Sequence, residues 1–207
     1  MHTADRKQGS RQAKNARERI IASACAHFLE HGFEEARIAA IRSEAGVSNG
    51  SFFHHFPTKD ALGAHVYLGI VADYQASMLD VLGGPPALVE TPIAIERLIR
   101  RHLAWVVGQR ERAAYVFNAS RTEWAELVGE ELGALNARFL EAFEAWRLPR
   151  VESGELVDID RGAFIAQLLG PTQMLCRRWL AGQDAFSPDR SADTLVACAI
   201  RGLVIAD

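Results

Sequence analysis

Asn49, Ser51, His54 and His55 crowd one short stretch of a 207-residue chain. Their side chains are the compact donors and acceptors that read base edges or grip phosphates. Phe52, Phe53 and Phe56 are interleaved with them, and this spacing predicts a short helix with its aromatics on one side. The residues before it supply the positioning. Ile38, Ile41 and Ala45 give a preceding helix an apolar side, and Gly46 offers the permissive backbone of a sharp helix-to-helix turn. Ser48 is a good N-cap for the second helix. A short capped helix pinned by aromatics is what a major-groove reader needs. An ordinary αα-corner in a helical bundle has the same spacing.

Charge favours the first reading. Arg6, Lys7, Arg11, Lys14, Arg17 and Arg19 crowd the N-terminal tail and the start of the first helix. Residues 1–60 hold nine Lys or Arg against seven Asp or Glu, whereas the remainder holds fourteen against nineteen. A basic end on an acidic body suits a phosphate footprint on one face, although a solvated surface has the same composition.

Residues 17–62 resemble the N-terminal domain of TetR-type transcriptional repressors. The resemblance rests on Ile20-Ile21, Ala24, Phe28, Gly32-Phe33, Ile41, Ala45-Gly46-Val47-Ser48, Gly50, Phe56, and Lys59 through Leu62. It implies an all-α fold, with a three-helix DNA-binding head (helix-turn-helix about 37–56) and a long helix leading into a helical ligand-binding and dimerisation body. The expected domains are 1–62 and 63–207. The DNA-contacting set it implies is Arg37, Arg42, Ser48, Asn49, Gly50, Ser51, Phe53, His54, His55 and Lys59. Lys59 would hold a phosphate, and Gly50 would let the helix approach the groove. Three positions depart from the family pattern. Arg37 stands where a Ser or Thr usually caps the first of the two helices, Arg42 where a small residue is usual, and Phe53 where a tyrosine is common.

Beyond the head, helical periods dominate. Thr58 caps a long helix marked by Leu62, Val66, Ile70 and Tyr74 and running to about Leu82, and residues 83–92 read as a loop. A further helix opens at Pro92 with Ile95, Leu98, Ile99, His102, Leu103 and Val106 inward, followed by a less regular piece around Ala113–Ala119. Trp124 to Trp146 form the cleanest 3.6-residue stripe, which Leu148-Pro149 should end. Residues 159–181 and 188–205 are apolar over more than one stripe, with Gly170-Pro171 expected to kink the first. The family places its homodimer interface on the matching pair of helices; completion of a monomeric core is the other reading.

His102, Trp105, Asn118, Trp124, Gln167 and Gln173 are candidate effector contacts, because a mostly apolar pocket needs a few orienting groups. Each also fits as an ordinary core or surface residue. A lipophilic or aromatic effector is expected. No nucleophile triad, glycine-rich phosphate loop or metal-ligand spacing points to an enzyme, a cofactor or a metal. The three cysteines are widely spaced, and there is no signal-peptide core and no apolar run of membrane-spanning length, so a cytoplasmic protein is expected. The leading expectation is a repressor that binds double-stranded palindromic operator DNA and is released by a small molecule. A regulator controlled by a partner protein, or without an effector, is the alternative. An enzyme using the body cavity comes third.

Overall fold

The computed structural model of the chain describes residues 3–82, 89–118 and 122–205, with side chains described at 15–82, 89–117, 124 and 127–205. Most of the basic N-terminal side chains, that of Asn118 and the glycine-proline loop at 83–88 lie outside the described residues. Among those described, nine α-helices follow in order. They are α1 (Thr3–Glu35), α2 (Ile38–Ala45), α3 (Asn49–His55), α4 (Lys59–Asp80), α5 (Thr91–Gly108), α6 (Arg110–Asn118), α7 (Thr122–Glu152), α8 (Arg161–Leu180) and α9 (Pro188–Leu203). The only extended pairing among them is a single bridge between Leu156 and Val204. The chain divides into two compact units, one of Met1–Ile70 with Asn118–Leu132 and one of Val71–Phe117 with Gly133–Asp207.

In the first unit, α1 packs against α2 and α3. Ile20, Ala24 and Phe28 recur at the four-residue spacing of one helix face and are buried, as are Ile41 and Ala45 of α2 and Phe52 of α3. The N-terminal segment expected as a tail is already helical from Thr3, and α1 leaves helical geometry at Gly32 (φ 79, ψ 159). Gly46 takes the left-handed conformation (φ 61, ψ 42) that ends α2. Its N–H donates to Ser43 O at 3.2 Å and that of Val47 to Arg42 O at 3.1 Å, which satisfies two terminal carbonyls. Arg37 offers α2 no side-chain cap, as its identity predicts. Trp124 belongs to this unit. Its indole N–H donates to Asp60 Oδ1 at 3.1 Å and its ring meets Phe33 edge-on at 5.1 Å. A Cβ at Gly63 would collide with both rings.

In the second unit, α5, α8 and α9 pack on one another. Ile95, Leu98, Ile99 and Val106 share a core with Phe164, Leu168, Val196 and Leu203. Two expectations need correction. The piece around Ala113 is regular helix, α6. The Trp124–Trp146 stripe does not end at Pro149, because α7 continues to Glu152. Proline removes only its own N–H here, and Arg150 Nη1 donates to Trp146 O at 2.9 Å while Ser153 N–H reaches Pro149 O at 3.0 Å. Ser187 sits at the N-cap of α9 without a side-chain cap bond, whereas Asp160 does cap α8, accepting from Ala163 N–H at 2.9 Å. α8 is one helix through Gly170 and Pro171, with Thr172 Oγ1 donating to Leu169 O at 2.6 Å.

Replacing Gly46 by alanine forces a side chain into a left-handed backbone position. The change should cost about 1–2 kcal/mol of unfolding free energy. Denaturant unfolding of the variant measures it, and an unchanged midpoint would contradict this account of the turn.

Candidate functional site

The short helix α3 is built to display one face. Ser48 Oγ accepts from Ser51 N–H at 3.2 Å and caps its start. Phe52 is fully buried and Phe56 nearly so, but Phe53 does not join them: it is 41% exposed, a correction to the expected aromatic face. One residue along a helix turns about 100°, so Phe53 points away from the side that Phe52 buries. Ser48, Asn49, Gly50, Phe53 and His54 are exposed together, with Ser51 and His55 partly buried beside them. A Cβ at Gly50 would meet nothing, which leaves the helix surface flat there.

Arg42 and Asn49 meet across the turn: Arg42 Nη1 donates to Asn49 Oδ1 in a very short contact. This occupies the amide oxygen and leaves the Asn49 NH₂ as the outward donor. Arg37 is exposed and borders an open groove lined also by His27, His31, Glu35 and Ala40. His27 Nε2 lies 2.8 Å from Glu44, and Ser23 donates to the same carboxylate at 3.2 Å. Lys59 is tethered in this state. Its ammonium donates to Glu34 O at 2.8 Å and lies 4.8 Å from the Phe33 ring centre. Burial lowers its pKa against the opposing pull of Asp60 and Glu35.

Arg17 is the residue whose structural place the sequence did not disclose. Its guanidinium lies over the Phe56 ring at 5.3 Å and 3.2 Å from His65 Nε2. Burial lowers the His55 pKa, and the charges of His54 and Arg17 lower it further. Phosphates brought close to His55 would act in the opposite sense and favour its charged form.

The predicted effector contacts are not one constellation. His102 and Trp105 meet at Tyr74, whose ring lies 5.7 Å from the imidazole and 4.9 Å from the indole. Trp124 packs inside the first unit, and Gln167 and Gln173 are exposed on α8. The structure adds Tyr74 and Cys176, both absent from the sequence-based set. In the sequence Tyr74 is one more apolar mark on α4, and nothing local relates it to a histidine 28 positions away. Its hydroxyl lies 2.8 Å from His102 Nδ1. Burial raises the Tyr74 pKa, with a further push from Cys176, and lifts the Cys176 thiol to about 12. Burial also pushes the His102 pKa down to about 4.

Among the described residues, no group of three or more His, Cys, Asp or Glu side chains could hold a metal ion. No described helix is long and apolar enough to cross a membrane.

Comparison with known proteins adds the following. The family described as "Bacterial regulatory proteins, tetR family" matches residues 20–66. An HTH-type transcriptional repressor of Mycobacterium tuberculosis is 39% identical over 170 residues, covering 74% of this chain and 90% of that protein. The repressor AcnR of Corynebacterium glutamicum is 34% identical over 68 residues, 33% of this chain. That match spans only 34% of AcnR's own length. The crystal structure of FadR from Bacillus subtilis in complex with stearoyl-CoA superposes with a TM-score of 0.69 at 15% identity, covering 89% of this chain and 98% of FadR.

The depressed His102 pKa has a consequence for stability. The folded value lies below the ordinary 6.5, so between pH 6.5 and 4 the unfolded chain binds the extra proton and stability rises with pH. The contribution is complete above pH 6.5 and is lost as pH falls to 4, amounting to about 3 kcal/mol. Urea unfolding across that window should show the slope in the wild type and a reduced slope in His102→Gln. Equal slopes would contradict it.

Proposed function

This chain belongs to the tetR family of bacterial regulatory proteins, DNA-binding regulators of transcription rather than enzymes, and we propose that it is a homodimeric repressor of a palindromic operator that a small molecule releases. The observation that carries the reading is the exposed face of α3, on which Asn49, Gly50, Phe53 and His54 project while Phe52 holds the helix from behind. Asn49 and His54 read base edges, with Ser51 reaching them through closer insertion or a water. Arg42 orients Asn49, and Arg37, Ser48, His55 and Lys59 contact the backbone. For Lys59 this means exchanging the Glu34 carbonyl for a phosphate, an exchange favoured by the charge of the new partner. Phe53 offers apolar contact in place of a hydroxyl.

We assign DNA recognition to residues 1–62 and effector binding and dimerisation to residues 63–207, in a cytoplasmic protein. The effector site centres on His102 and Trp105. Dimerisation uses the outward faces of α8 and α9, where Met174 and Ala166 of α8 and Gly202 of α9 are exposed, Met174 to 53%. Leu168 and Leu203 serve the protomer's own core instead, so charge there would unfold the chain rather than split a dimer.

Selection of duplexes from a random pool tests the reading. An inverted repeat should emerge, with half-sites separated by about 10 base pairs or a multiple; a pool without a consensus would overturn it. On the selected duplex, Asn49→Ala and His54→Ala should each cost about 1–3 kcal/mol, and much less on random DNA. Lys59→Ala should weaken both alike. Gly50→Leu should abolish binding in a folded protein. Equal losses on both DNAs for Asn49→Ala would demote it to a backbone contact.

Met174→Glu places a charge on the proposed two-fold surface without disturbing the protomer core. Light scattering should find a dimer for the wild type and a folded monomer for the variant. A dimeric variant, or a monomeric wild type at micromolar concentration, would contradict the assignment.

A further inference from the structure

His102 sits on α5 and is 2% exposed. Its Nδ1 is engaged by the Tyr74 hydroxyl at 2.8 Å, while its Nε2 is buried and finds no hydrogen-bond partner among the described residues. What that second nitrogen can do depends on the direction of the Tyr74 bond. Burial keeps the phenol protonated, and it has to donate its hydrogen somewhere. The hydroxyl lies against His102 Nδ1; with the phenol donating, that nitrogen accepts, whereas the other tautomer would leave the phenol hydrogen without an acceptor at this contact. A neutral imidazole carries one N–H, which then resides on Nε2. A buried donor without an acceptor costs about 1–3 kcal/mol. A ligand that supplies the acceptor recovers this.

The surroundings narrow what the ligand carries. Tyr74 meets the imidazole ring and Trp105 packs on Tyr74 in turn, and Cys176 adds a buried protonated thiol. Burial alone accounts for the state of the imidazole, with no neighbouring charge contributing. A carboxylate here would be stripped of water, which is costly for a charged group. We propose that the Nε2–H of His102, oriented by Tyr74, is the recognition donor for an aromatic or lipophilic effector bearing a neutral carbonyl oxygen, such as a ketone, ester or amide. The proposal rests on the reading of residues 63–207 as an effector-binding body and gives that site its chemistry.

Three small probes of similar shape test it: acetophenone, ethylbenzene and benzoate. They are added to the full-length protein carrying nitrogen-labelled histidine, and long-range proton–nitrogen spectra follow the His102 ring without DNA present. The free protein should show the Nε2–H tautomer. Acetophenone should shift that resonance and bind at least about fivefold more tightly than ethylbenzene, the gain of about one hydrogen bond. His102→Phe should bring the ratio to about one. Tyr74→Phe is a second and milder variant, which should mix the tautomers and shrink the ketone preference. An Nδ1–H tautomer in the free protein, equal binding of acetophenone and ethylbenzene, or no ring shift with any probe overturns the proposal. So does preferred binding of benzoate with proton uptake. Because the spectra need no operator, an acetophenone response without any DNA release would count against the repressor mechanism alone. Release by a compound that leaves His102 unmoved would count against this site alone.

Discussion

Burial of Phe52 and Phe56 is the constraint on which the head depends. A helix of seven residues is too short to be stable in water by its own hydrogen bonds. It exists because two aromatic rings, each contributing about 1.5–3 kcal/mol on burial, hold it in the same unit as Ile20, Phe28 and Ile41. The caps at Gly46 and Ser48 set where it begins, and α1 sets how it lies. The polar residues between the aromatics are then displayed because they cannot follow the rings inward. Display of Asn49 and His54 is thus a by-product of packing on the opposite face. Arg42 adds a specific restraint, holding Asn49 by its amide oxygen.

This explains why the head was legible in the sequence. Gly46, Ser48, Thr58 and the Ile41/Ala45 spacing are local signals, each acting within a turn or two of its own position. The caps follow them: Thr58 Oγ1 accepts from Ala61 N–H at 3.0 Å, and Arg37 provides no cap. What the sequence hid is tertiary. Phe53 is chemically identical to Phe52, and only their angular separation on α3 sends one outward. Trp124 read as part of a body stripe, yet its indole N–H finds Asp60, 64 positions away. Pro149 read as a stop, but Arg150 and Ser153 supply hydrogen bonds that carry α7 past it.

The body shows the same division at its polar sites. His102 was conspicuous as a polar residue in an apolar helix, and Trp105 lies one turn away. Their common partner Tyr74 is on a different helix and reads locally as hydrophobic. The pairing matters because it removes one of the two imidazole nitrogens from use and gives the other a defined role. Gln167 and Gln173 stand out on the same compositional ground as His102, but their angular positions on α8 turn them to the surface. Composition selects polar residues in apolar company; burial separates those that face inward.

The central claim is that the exposed face of α3 meets DNA. Amide chemical-shift mapping of the full-length protein against a duplex selected from a random pool tests it most directly. The account predicts perturbations concentrated from Asn49 through His55 and at the start of α4, with those at Phe53 and His54 disappearing when random DNA replaces the selected duplex. Perturbations confined to α5, α8 or α9, or a pattern at α3 unchanged between the two duplexes, would contradict it.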